Sequence, residues 1–81
     1  MSRHEKLLAG MRANPRNVRK EDLDRIAPRL GVQMRHGASH DVYYRDACPM
    51  NVAVPRHPGL VDEAYVREFL SLVDWEDDDD G

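Results

Sequence analysis

The chain has 81 residues, 41% hydrophobic and 33% charged, with a formal net charge of −3. A chain of this size buries only about 60% of the surface its unfolded form exposes, so one small domain with a compact core is expected, with no room for a cofactor domain. The balance of apolar and charged residues excludes wholesale disorder.

Ser2 followed by Glu5 is a capping-box pattern, and Leu7, Leu8 and Met11 then fall on one helical face. A first helix is expected over 3–13, ended by Asn14-Pro15 because a residue before proline is pushed out of the helical region. From 19 to 30 the apolar residues Leu23, Ile26, Ala27 and Leu30 recur at helical spacing, with Gly31 at the expected C′ position. Pro28 lies inside this second helix, where it removes a hydrogen bond and clashes with the Asp24 carbonyl, so a kink or a tightened last turn is expected.

Strands are expected over 32–36, 39–45 and 50–54, joined by the short links Gly37-Ala38 and Asp46-Ala47-Cys48-Pro49. Short links between consecutive strands favour an antiparallel meander. Asp62 is a good N-cap, Val61 and Val66 can form a hydrophobic staple, and Val66, Phe69, Leu70 and Val73 carry the period of a last helix. The fold class is therefore α+β in the order ααβββα, a three-stranded antiparallel sheet with helices packed on one face and the other face wet. In the middle strand Ser39, Asp41 and Tyr43 share one parity and His40, Val42 and Tyr44 the other, so alternation does not separate polar from apolar. A bulge near Ala38 would re-aim His40 and resolve this.

The net charge hides an asymmetry. Residues 1–58 carry 11 Lys/Arg against 6 Asp/Glu, and residues 59–81 carry 1 against 9. A single domain over 1–74 is expected, followed by an acidic tail over 75–81 that repels itself into solvent; its role is either solubility or competition for a basic face. No apolar run approaches the roughly 18 residues that span a bilayer, and the opening Ser2-Arg3-His4-Glu5-Lys6 is unlike a signal-peptide core, so a cytoplasmic protein with no membrane partner is expected. Cys48 is the only cysteine and reads as a turn or half-buried filler.

The run Gly37-Ala38-Ser39-His40-Asp41-Val42-Tyr43, with Val54-Pro55-Arg56-His57-Pro58 and Ala64-Tyr65-Val66-Arg67 downstream, resembles the HicA-family toxins of type II toxin–antitoxin systems. The likeness covers nearly the whole chain. It implies a fold similar to a double-stranded-RNA-binding domain, an mRNA interferase activity, mRNA as substrate and a HicB-like antitoxin as protein partner. The family's catalytic histidine maps to His40, with Ser39 before it as an RNA contact and Tyr43 as the aromatic of the motif. Where the family usually has glycine immediately before the Ser-His pair, this chain has Ala38, and Gly37 is the residue able to supply a positive φ one step earlier.

The chemistry can be argued from the residues as well. RNA carries its own nucleophile, the 2′-OH, so cleavage to a cyclic phosphate needs a base, an acid and cations, with no cofactor or metal. DNA lacks that hydroxyl and is not an expected partner. His40 is the acid/base candidate because an unperturbed imidazole titrates near neutral pH. Arg35, Arg45 and Arg56 are candidates for phosphate contacts, with ordinary surface charge as the alternative. His57 is a second acid/base group, an RNA contact or a solvated loop residue. Tyr43 and Tyr44 are stacking candidates or packing residues. Lys20 reads as solvated, His36 as structural or solvated, and His4 as irrelevant. A zinc site from His36, His40, His57 and Cys48 lacks the spacing of a zinc motif. Two further readings keep the same fold: a non-catalytic RNA-binding module, and a protein-interaction domain whose partner covers the sheet.

Overall fold

The computed structural model describes residues 2–76. The first helix, α1 (Arg3–Ala13), begins at the expected capping box: Ser2 Oγ accepts from the Glu5 N–H and the Glu5 carboxylate accepts from the Ser2 N–H. Asn14 ends it. The second segment starts one residue later than expected and splits in two. α2 spans Lys20–Ile26, and the chain then tightens into a 3-10 turn over Ala27–Leu30 that contains Pro28. The tighter winding accommodates the proline, and Gly31 closes the turn at φ 73°, a left-handed value that favours glycine.

Three strands follow, β1 (Gln33–His36), β2 (His40–Tyr44) and β3 (Asn51–Pro55), paired antiparallel in the order β1-β2-β3. The last helix, α3 (Glu63–Asp74), is capped by Asp62, whose carboxylate accepts from the Ala64 N–H at 2.8 Å, and the staple residues Val61 and Val66 are both buried. The architecture is thus α+β, a three-stranded antiparallel meander covered by helices.

The β1–β2 pairing runs without interruption from Gln33↔Tyr44 to His36↔Asp41, so the bulge expected near Ala38 is absent. Alternation is obeyed after all. Asp41 and Tyr43 point into the core with Val52 and Val54, while His40, Val42 and Tyr44 point to the opposite face. The mixed parity arises because a carboxylate, Asp41, occupies an inward position. Tyr43 is core, packed edge-on to Phe69 with ring centroids 5.3 Å apart. Met11, Leu23, Ile26, Val66 and Leu72 fill the space between the sheet and the helices. Cys48 is half-buried against this core.

The helices are tied at their ends. Arg12 grips Asp74 through both terminal nitrogens at 2.7 and 2.6 Å, and Arg16 donates to Glu63 at 2.8 Å. These pairs are exposed, and solvent screening leaves each a small contribution to stability. No helix among the described residues is long and apolar enough to cross a membrane. Of the acidic tail, Asp77–Gly81 lie outside the described residues.

Candidate acid/base site at the first hairpin

The β1–β2 hairpin closes through the Gly37 N–H, which donates to the His40 carbonyl at 2.7 Å. Neither Gly37 nor Ala38 has a positive φ. Glycine is needed at 37 for another reason: a Cβ there would sit 2.9 Å from the His40 carbonyl oxygen, closer than a backbone contact tolerates. Alanine at 38 therefore does not strain the turn. His40 is exposed and faces away from the helices, with its Nδ1 3.0 Å from Ser39 Oγ, which leaves Nε2 open to solvent.

On the opposite face of the same hairpin end lies an interaction the sequence reading missed. His36 and Asp41 are register partners, and His36 Nδ1 lies 2.7 Å from Asp41 Oδ1. The Asp41 side chain is 2% exposed, whereas that of His36 is 66% exposed. Asp41 also accepts from Lys20 Nζ at 2.8 Å, and Arg56 Nε lies 3.3 Å from it. Lys20, read from sequence as solvated, is buried; its ammonium also reaches Asp24 at 2.7 Å and lies 5.4 Å from the centre of the Tyr43 ring. The Tyr43 hydroxyl donates to Asp24.

Burial is the largest influence on Asp41 and pushes its carboxyl up, but hydrogen bonds from Lys20 and His36 outweigh it and hold the group below the ordinary carboxylate range. Lys20 is the mirror case, with burial lowering it and Asp24 and Asp41 together raising it above the ordinary lysine value. Burial, then the bond to Asp24, keeps the Tyr43 hydroxyl neutral. Every buried side-chain polar atom among the described residues has a partner. The cluster is charged and fully satisfied.

The turn leading into α3 completes the surroundings. An isolated bridge pairs Arg19 with Leu60, and the Lys20 N–H donates to the Gly59 carbonyl at 3.2 Å, drawing 56–60 against the start of α2. This leaves an open cleft of about 520 Å³ beside the hairpin, lined by Arg19, Lys20, His36, Asp41, Arg56 and His57 among others. Arg56 is a strut in its wall. Its backbone N–H donates to the Ser39 carbonyl, and its guanidinium donates to the Gly37 carbonyl besides approaching Asp41. A guanidinium has further N–H donors to offer a ligand. Glu21, Asp24 and Asp41 offset the formal charge of Arg19, Lys20 and Arg56 in the cleft.

The expected site residues therefore divide. Arg56 and His57 line the cleft with His36, while Ser39 and His40 sit at the hairpin tip. Arg35 lies on the wet face of the sheet, its guanidinium 5.6 Å from the centre of the Tyr44 ring. Arg45 departs from the expected phosphate contact. Its Nη1 donates to the carbonyls of Leu72, Val73 and Trp75 at 3.0, 3.1 and 2.8 Å, where it satisfies the open C-terminal end of α3. Trp75, at the expected start of the tail, lies with its ring 6.0 Å from the same guanidinium. No group of three or more His, Cys, Asp or Glu side chains among the described residues could hold a metal ion.

Comparison with protein-family models, with curated proteins and with solved structures found no match.

Proposed function

We propose that the protein is an endoribonuclease of the toxin–antitoxin type, cleaving mRNA through the RNA 2′-OH with His40 as an acid/base group and without a metal ion. The observation that carries this reading is the presentation of His40: an imidazole on an exposed hairpin tip, oriented through Nδ1 by Ser39, with Nε2 open to a substrate. Its place in Gly37-Ala38-Ser39-His40, the resemblance of that run and of the downstream segments to HicA-family toxins, and the arginines at the same end of the sheet are consistent with it. A HicB-like antitoxin is the partner this reading requires. Arg35 against Tyr44 on the wet face favours a second reading, an RNA-binding module without cleavage, in which an arginine and an aromatic ring hold an unpaired base.

The test is incubation of the protein with RNA and DNA strands of one sequence in excess EDTA. The expected result is cleavage of RNA only, leaving a cyclic phosphate or its 3′-phosphate hydrolysis product. His40→Ala should abolish cleavage and change stability by less than about 1 kcal/mol, since the side chain is exposed. Activity that disappears on chelation and returns with magnesium or zinc, or a His40→Ala variant that cleaves normally, refutes the reading. Salt-sensitive RNA binding without cleavage selects the second one.

A further inference from the structure

We infer that the wet face of the sheet is one continuous site for single-stranded RNA, in which Tyr44 stacks an unpaired base and the strand runs from there to His40. The His40 end rests on the ribonuclease reading; the Tyr44 end does not need it. Register puts both on one face. His40 and Tyr44 are the two ends of β2, share a parity, and lie about 13 Å apart at the rise of a strand, a span of a few nucleotides. The floor between them, Val42 and its β3 partner Ala53, carries no charge. The Arg35–Tyr44 pair and the exposed histidine are therefore parts of one surface, and the features that support binding and those that support cleavage do not compete.

The occupant follows from the residues. Arg35 stands opposite Val42 in register and leans along the sheet to Tyr44, its guanidinium 5.6 Å from the centre of the ring. An aromatic ring offers any base a stacking surface, and an arginine beside it supplies a cation for the adjoining phosphate. Tyr44 is flanked in register by two carboxamides, Gln33 on β1 and Asn51 on β3. The Gln33 amide nitrogen donates to Asp46, just beyond β2, at 2.8 Å, which leaves the amide oxygen as an acceptor for the edge of a base. A duplex keeps its base faces inside the helix, so only an unpaired base can reach the ring. Charge agrees. The chain has 15 Asp and Glu, yet no strand position facing this side is acidic, and the one carboxylate of β2, Asp41, is buried on the other side. A polyanion laid on the strands meets Arg35 without an opposing carboxylate among them.

The test uses the whole protein and a single-stranded RNA oligomer methylated at every 2′-oxygen, which removes the nucleophile so that binding is read without cleavage. One nucleotide at a time is replaced by an abasic unit. Wild-type protein should lose about tenfold or more in affinity at one position. Tyr44→Leu should lose as much on the intact strand and nothing further at that position, while Tyr44→Phe should bind like wild type. A fully paired duplex of the same sequence should bind wild type at least about tenfold more weakly than the single strand. On unmethylated strands the cut should fall at a fixed distance from the sensitive nucleotide. Indifference of the wild type to every abasic unit, equal affinity for duplex and single strand, or a folded Tyr44→Leu that binds like wild type overturns the subsite, even if the unmethylated strand is cut. A cut whose distance from the sensitive nucleotide varies between sequences overturns the single continuous site. A sensitive nucleotide on a strand that is never cut overturns the ribonuclease reading and leaves the Tyr44 subsite standing. The abasic scan needs no variant, so the outcome is decided even if Tyr44→Leu fails to fold.

Discussion

The buried charges of Lys20 and Asp41 make a quantitative prediction. Their side chains are 8% and 2% exposed, and removing one member of such a pair costs about 3–5 kcal/mol when the survivor is left without compensation. Neither survivor is wholly abandoned here. After Lys20→Met, Asp41 keeps His36 and Arg56, so the cost falls to about 2 kcal/mol. After Asp41→Leu, Lys20 keeps only Asp24, a half-exposed partner, and the cost is about 3 kcal/mol. The double variant leaves no buried charge in the cluster, and because replacing a buried pair by apolar residues is often near neutral, its cost should fall well below the sum of the two singles. For a domain whose whole stability is about 4–12 kcal/mol, these are large changes, and Asp41→Leu should lower Tm by about 12–24 °C. Urea unfolding of the four proteins at pH 7, followed by far-ultraviolet circular dichroism, gives the cycle. Single variants that each cost less than about 0.5 kcal/mol, or a double variant whose loss is the sum of the singles, would refute the account of the cluster as a mutually dependent buried network.

The capping role of Arg45 and the open position of Arg35 predict opposite phenotypes. Arg45→Met should destabilise the fold by about 1–2 kcal/mol and leave the salt dependence of RNA binding unchanged, whereas Arg35→Gln should spare stability and reduce the salt slope by about one; equal slopes for the two variants would return Arg45 to the binding surface. Stability should also depend on pH in the acid range. The Asp41 carboxyl is depressed in the folded state, so its contribution is complete above the unfolded value near pH 4 and is lost as pH falls through the lower folded value; unfolding free energies that stay constant from pH 6 to pH 2.5 would contradict this.

Much of the fold is legible in the sequence because local signals carry it. Ser2 with Glu5, and Asp62 with Val61 and Val66, mark helix starts whose geometry depends on neighbours within a turn. Pro28 announces the 3-10 winding for the same reason. What escaped were interactions between residues distant in the chain. Lys20 looks solvated on a helix until Asp41, on another element, buries beside it. Arg45 ends a strand and reads as free, yet its acceptors are carbonyls of a helix about thirty residues on. His36 is the one omission with an available signal: a turn centred on Ala38 and Ser39 makes His36 and Asp41 facing partners, and a histidine opposite a carboxylate at an inward position is a pairing to examine.

His40 and Asp41 are adjacent residues of β2, the strand hydrogen-bonded on both flanks. In a three-stranded meander the outer strands can fray by releasing one ladder, but the central one is freed only when both are lost. His40 and Asp41 thus belong to the last part of the sheet to open, whereas the adjoining segment 57–60 meets the start of α2 through the Arg19–Leu60 bridge and the bond from the Lys20 N–H to the Gly59 carbonyl. The division is one of a doubly held anvil and a more lightly tied rim.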